Sequence, residues 1–470
     1  MTAPRRPGAR AQAGRPERPA RPDKPPQPTQ RERAALLPRL YELWSAYGHA
    51  PEPPLLDRWL ANELSRLDGL SREKRLWLGA ALAAGARFAW LALLCHETSG
   101  LAPRAALSRA LAGVGDAREA WRRLGGIPPP AFFFWVFLRE REEGGRPPRL
   151  DEPRPGAVAD WHRLRTGLAG DPSLAGRLAW AGLPAVLAAP LARRAMLSGW
   201  TAEELRLFVA RQAERPPLWL RLADPAAREP VLAELRRAGF TARGEGHAIA
   251  AKGERGIFEL ACWRDGRVEI QDLASQRIGE AVAAAPGCFV WDACAGGGGK
   301  TLQLAALMRG TGAIYATDRR AEALADLRRR AKRARLTNVR AYPWRGEEPP
   351  DFGKTVARHG GFDRVLVDAP CSGSGTWRRN PDGRLRADQA ALGAFAAAQA
   401  RLLELAAEAV KPGGSLVYAT CSWRAEENED VAAAFLAAHP EFALEAQQLH
   451  GNPREDADTT FSAVMRRTAP

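Results

Sequence analysis

The C-terminal half of the sequence predicts an α/β fold, a parallel sheet with covering helices, and two observations carry the prediction. Short apolar runs at 289–291, 313–317, 365–367 and 416–419 recur between longer helix-like stretches. Each run ends in a residue able to do chemistry, and open α/β sheets gather ligands at the C-terminal ends of their strands. A third observation sets the N-terminal part aside. From Glu32 to about residue 200 the apolar spacing is helical, with few alternating β-like runs.

At 470 residues the chain is long enough for two or three domains. A hydrophobic fraction of 46% and a charged fraction of 26% are those of a globular protein that can bury sizeable cores. The formal net charge of +15, with a pI near 10.2, points to a polyanionic partner. No uninterrupted apolar run is expected to span a bilayer, since the most apolar stretch, 131–138, ends in Arg139-Glu140-Arg141. Nucleic acid is therefore the expected partner and a membrane is not. The six cysteines show no CxxC pair and no zinc-type spacing, so no metal is expected. With no apolar leader before them, free thiols in a reducing cytoplasm follow. Cys95, Cys262 and Cys288 read as small buried hydrophobes.

Residues 1–31, rich in Pro and Arg, read as a disordered basic tail. Residues 32–200 read as an all-helical domain. Leu36, Leu40, Leu43 and Trp44 form one apolar stripe and Leu55, Leu56, Trp59, Leu60 and Leu64 a second. Trp44, Trp59, Trp77, Trp90 and Trp121 sit within such stripes and are expected in the core. Residues 201–283 read as a small α/β module. Thr201 with Glu204 begins a helix through a capping box, strands are expected at 218–222, 248–250, 257–260 and 268–271, and a helix at 226–238. Residues 284–470 form the parallel α/β domain.

The first chemical motif is Asp292-Ala293-Cys294-Ala295-Gly296-Gly297-Gly298-Gly299-Lys300-Thr301, between an apolar strand and a helix. Glycines let the backbone approach a nucleotide-like ligand, and helix N–H groups face it. A P-loop is excluded, because GxxxxGK[ST] needs glycine where Cys294 stands. One βα unit later Asp318 ends a strand, where its carboxylate can accept from both ribose hydroxyls. These features alone do not separate a dinucleotide from S-adenosylmethionine.

Two further strands end in Asp368-Ala369-Pro370-Cys371 and Thr420-Cys421-Ser422. Two cysteines at two strand tips in one cleft suit cytosine chemistry. Carbon 5 of cytosine is too weak a nucleophile to take a methyl group until a thiolate adds at carbon 6 and makes the ring an enamine. Asp368 is placed to hold the N3 and N4 edge of the base. Arg378, Arg379, Arg384 and Arg386 are candidate phosphate contacts, a solvated basic loop being their alternative.

From about Trp200 onward the sequence resembles the Sun/RsmB-type RNA (cytosine-5) methyltransferase family. The resemblance rests on Gln271-Asp272-Leu273-Ala274-Ser275-Gln276, the glycine loop, Asp-Ala-Pro-Cys-Ser-Gly-Ser-Gly, Lys411-Pro412-Gly413-Gly414, Thr420-Cys421-Ser422 and Glu426-Glu427-Asn428. It implies a Rossmann-like catalytic domain that binds S-adenosyl-L-methionine through Asp292, the 294–300 loop, Asp318 and Asp368. It also implies Cys421 as the nucleophile, with Cys371 assisting product release. RNA, ribosomal RNA above transfer RNA, is the implied substrate; a weakly catalytic RNA-binding or ribosome-assembly protein is the alternative from another class. A monomer is expected. The small module is implied to grip RNA, and residues 32–200 to be a diverged NusB-like domain. Two departures stand out. The family's Ala-Pro or Gly-Pro before Gly-Gly-Lys-Thr is Gly296-Gly297 here, which makes the loop looser. The acid expected after the third strand is missing from Ala341-Tyr342-Pro343-Trp344-Arg345, where Trp344 either stacks on adenine or packs in the core.

Overall fold

The computed structural model describes residues 28–469 except 51, 53, 116, 254–255 and 387–388. Most of the basic tail expected over 1–31 lies outside the described residues. Thr29 caps the first helix, Gln30–Gly48, in a capping box with Glu32. Leu36, Leu40, Leu43 and Trp44 all point into the protein, Trp44 stacking on Phe132 with ring centroids 4.3 Å apart. Ten helices run from Gln30 to Arg211 among the described residues, with no strand between them.

The centre of this region is the helix Arg72–Thr98. It is long and apolar enough to cross a membrane, contrary to the expectation from 131–138, yet 78% of its most apolar window is buried in protein. It packs against Pro129–Glu142, which carries Phe132, Phe133 and Trp135 into the same core. The long apolar run is thus a core helix wrapped by its neighbours.

Four strands follow, β1 (Leu218–Leu222), β2 (Thr241–Glu245), β3 (Ala248–Lys252) and β4 (Val268–Ile270), in an antiparallel sheet ordered β2-β3-β1-β4. The strand expected at 257–260 is instead a 3₁₀ turn, Ile257–Glu259, leading into a short helix that buries Cys262. β2 is polar and exposed, so it carries no apolar signal.

The last seven strands are β5 (Phe289–Asp292), β6 (Ala313–Asp318), β7 (Val339–Pro343), β8 (Phe362–Asp368), β9 (Val410–Thr420), β10 (Phe442–His450) and β11 (Thr460–Arg467). Their order is β10-β11-β9-β8-β5-β6-β7, with β5 to β9 parallel and β11 antiparallel to β9. Strand order reverses between β5 and β8, and the crevice at such a switch point is where α/β sheets bind ligands. This is a Rossmann-like sheet.

The segment after Cys371 is embedded in the helical region. Arg384 is wholly buried and donates to the carbonyls of Arg87, Ala181, Gln212 and Trp377 at 3.0–3.2 Å. Burial, then the neighbouring Arg87 charge, brings its pKa down to about 9. Arg378 pairs with Asp456, Arg386 with Asp382, and Arg379 with both Asp272 and Asp458. These four arginines staple parts of the protein together, and the burial of Arg378 and Arg384 corrects the reading of those two as phosphate contacts. On the other side, Arg194 makes a two-pronged pair with Glu429 at 2.6 and 2.7 Å and donates to the Trp423 carbonyl at 2.7 Å.

Candidate active site

β5 delivers Asp292 to the crevice, 1% exposed. Thr301 Oγ1 donates to Asp292 Oδ2 at 2.6 Å, while Oδ1 is buried with no partner among the described residues. Burial, reduced by the Thr301 bond and raised again by the nearby Asp368 charge, pushes this carboxyl up to about 7. The glycine loop then turns into the helix Gly299–Leu307. Gly298, at φ +85°, has no room for a Cβ, which would meet Leu327 Cγ at 2.6 Å. Within the loop, Ala295 N–H donates to the Thr317 carbonyl and Gly296 N–H to Asp318 Oδ2, both at 2.8 Å. Cys294 is half-buried, and burial followed by the Asp292 charge raises its thiol.

Asp318 also accepts from Arg320 N–H at 2.9 Å and Nε at 3.1 Å. Burial works against its charge, but the Arg320 side chain and backbone outweigh it and hold the carboxyl below its ordinary range. Trp344 is 9% exposed, its ring set edge-on to Trp291 at 5.1 Å and its Nε1–H on the Glu348 carbonyl at 2.7 Å. It packs in the core. Beside it a hollow of about 630 Å³ lies against Thr317 and Tyr342, rimmed by Arg345, Glu347 and Glu348.

β8 and β9 are parallel neighbours with Asp368 opposite Ala419, so the two cysteines emerge side by side. Their Sγ atoms are 3.3 Å apart. Hydrogen bonding to Cys421, then burial, pushes the Cys371 thiol well up, so Cys371 keeps its proton. Lys300, assigned above to the cofactor, places Nζ 2.7 Å from Asp368 Oδ2. That bond occupies one oxygen of the carboxylate expected to hold the base.

The loops carrying the thiols are joined by Glu427, the middle residue of Glu426-Glu427-Asn428. Glu427, wholly buried, accepts from Ser372 N–H at 2.7 Å and from the hydroxyls of Ser372 and Ser422 at 2.6 Å each. Each serine follows one of the cysteines, and the repeated Cys-Ser dipeptide was the available signal. Gly375 lies so close to Thr459 that a Cβ would sit 1.6 Å from its carbonyl oxygen. Its N–H donates to the Cys421 carbonyl at 3.0 Å, which draws the two loops together again. A cleft of about 600 Å³ opens on Cys371, walled by Trp377 and Phe395 on one side and by Leu55, Arg58 and Val186 of the helical region on the other. No cluster of three or more His, Cys, Asp or Glu side chains that could hold a metal ion occurs among the described residues.

Residues 281–470 match the family described as 16S rRNA methyltransferase RsmB/F. The match takes in 190 of the 470 residues, and the family it describes is one of S-adenosylmethionine-dependent RNA cytosine-5 methyltransferases. The chain is 33% identical over 297 residues to ribosomal RNA small subunit methyltransferase B of Xanthomonas campestris pv. campestris, covering 61% of this chain and 64% of that one. It is 30% identical over 258 residues to the protein of the same name from Proteus mirabilis, covering 54% and 60%. It thus spans less than two thirds of the length of these curated relatives. Among solved structures, PH0851 aligns with a TM-score of 0.62 at 23% identity over 87% of this chain and 94% of that one. NSun6 from Pyrococcus horikoshii aligns with a TM-score of 0.51 at 16% identity over 60% and 98%. At these identities the structural likeness is one of fold.

Proposed function

We propose that the protein methylates carbon 5 of cytosine in RNA, ribosomal RNA of the small subunit, with Cys421 as nucleophile and S-adenosylmethionine as methyl donor. The observation that carries this reading is the contact between two thiols at adjacent strand tips, beside the Lys300–Asp368 pair. The residues at the crevice also fit the cofactor. Asp292 keeps an orphaned buried oxygen, the loop is nearly free of side chains, and Asp318 stands at the second strand tip. When bound, the cofactor supplies an electrophilic methyl group.

The chain's own residues do the rest. The Cys421 thiolate forms a bond to C6 of the target base, which must leave its stack at a cost of about a few kcal/mol. The electron pair moves to C5, and the ring takes up the methyl group there. Solvent water takes the C5 proton, the C5–H pair restores the C5–C6 double bond, and the S–C6 pair returns to the Cys421 sulfur. Cys371, which keeps its proton, donates a hydrogen bond to the departing sulfur. Lys300 brings a positive charge that favours the thiolate. Asp368 Oδ1, the oxygen not bonded to Lys300, accepts from the N4 amino group. We assign residues 32–200, 201–283 and 284–470 to separate domains, the middle one gripping RNA. The basic net charge and the relatives' names favour a ribosomal RNA substrate.

The test is methyl transfer from labelled S-adenosylmethionine to undermodified small-subunit ribosomal RNA. Cys421→Ala should abolish it, and Cys371→Ala should accumulate an RNA–protein adduct on a denaturing gel. Transfer that survives in Cys421→Ala would overturn the nucleophile assignment.

A further inference from the structure

The glycine loop is held by a contact that reaches it from outside the crevice. Gly296 and Gly297 are consecutive, and a glycine pair leaves the backbone more conformations than any other dipeptide. Such a loop meets its ligand only in the fraction of time it spends in the competent shape, and affinity falls by that fraction. Arg330, on the helix Ala321–Arg333, donates to the carbonyl of Gly297 through Nη1. Its Nε and Nη2 both reach Glu269 Oε2, at 3.2 and 2.9 Å. Glu269 belongs to β4 of the small antiparallel sheet, and its side chain is 4% exposed. Its other oxygen accepts from Arg333, whose guanidinium lies 3.8 Å over the Trp263 ring.

We propose that Arg330 is a positioning residue for the cofactor loop, and that Glu269 of the small module orients it. The guanidinium is planar, and Glu269 engages two of its three nitrogens, so the third, Nη1, is aimed at Gly297. A buried carboxylate with two arginines keeps that orientation as long as the module stays docked. The small module therefore does more than flank the catalytic sheet: it fixes the shape of the loop that receives the methyl donor. A load on the module, such as RNA pulling on it, reaches the Gly297 carbonyl through the Glu269–Arg330 contact.

Gly297 provides the control. It does not lie in the left-handed region, and a Cβ there would meet Arg330 Nη1 and Asp326 Oδ2 at an ordinary 3.4 Å. Alanine is therefore accommodated in ordinary contact with Arg330, and it narrows the loop's freedom without displacing that side chain.

The inference rests on the methyltransferase reading, so the test measures cofactor binding rather than turnover. S-adenosylhomocysteine is titrated calorimetrically into the full-length protein. The wild type should bind, and Arg330→Met should bind about tenfold more weakly, the size of effect expected for a lost charged hydrogen bond. Adding Gly297→Ala to Arg330→Met should recover about threefold of that loss. A merely structural arginine would lower the unfolding temperature without rescue by a change in the loop. If Arg330→Met does not fold, Glu269→Gln takes its place and should weaken binding severalfold. Wild-type affinity in the folded variant, or no recovery by Gly297→Ala, overturns the role of Arg330 and leaves the enzyme reading intact. No binding by the wild type overturns both.

Discussion

Lys300 Nζ lies 2.7 Å from Asp368 Oδ2, which bridges the helix behind the glycine loop and the strand leading to Cys371. Burial disfavours the ammonium, but the charge and hydrogen bond of Asp368, followed by Cys421, outweigh it and hold Lys300 above its ordinary range. Lys300→Met should therefore remove the cation that favours the thiolate. Iodoacetamide labelling of Cys421 at neutral pH is expected to slow about tenfold. Unchanged labelling would show that Lys300 does not act on the thiol.

Glu427 should be the most sensitive buried carboxylate. Glu427→Ala leaves three donors from the two serines without an acceptor and should cost about 3 kcal/mol or more in urea unfolding. Glu427→Gln, which keeps one carbonyl oxygen, should cost about half as much. Both should lose more activity than stability, because the two thiols then drift from contact. Equal losses would reduce Glu427 to a packing residue.

Arg384 distinguishes a staple from an RNA contact. Arg384→Met removes the donor shared by four carbonyls and should destabilise the protein by about 3–5 kcal/mol in a denaturant titration. The salt dependence of RNA binding should not change. A residue that neutralised a phosphate would lower that slope by roughly one.

Asp292 predicts a pH effect. Its folded carboxyl titrates near 7 against an ordinary 3.8, so the folded protein binds an extra proton between those values. The stabilising contribution is full below about pH 4 and is lost as pH rises through 7. Asp292→Asn removes that dependence. Unfolding measured from pH 4 to 8 should show the wild type losing ground to the variant by up to about 4 kcal/mol. Parallel curves across the range would contradict the assignment.

The sequence made some elements readable and hid others for physical reasons. β8 and β9 were legible because 365–367 and 416–419 are apolar and end in Asp368 and Thr420-Cys421. The capping box at Thr201 and Glu204 was legible because its side chains bond within one turn. The 257–260 segment misled, since a short apolar run suits a buried turn as well as a strand. Arg378 and Arg384 misled more deeply. Their partners include Asp456 and the Arg87 and Gln212 carbonyls, distant in the chain, and local charge pattern carries no trace of them. The Trp344 alternatives were likewise decided by a long-range neighbour, Trp291.

The arginine staples make the chemistry inseparable from its mounting. A fragment starting at residue 281 would retain both thiols, Lys300, Asp368 and the glycine loop. It would lack the Arg87, Ala181 and Gln212 carbonyls that seat Arg384, and Arg194, which grips Glu429 and the backbone at Trp423. Such a fragment could not be transplanted as a cassette onto another RNA-binding body unless the recipient rebuilt those footings.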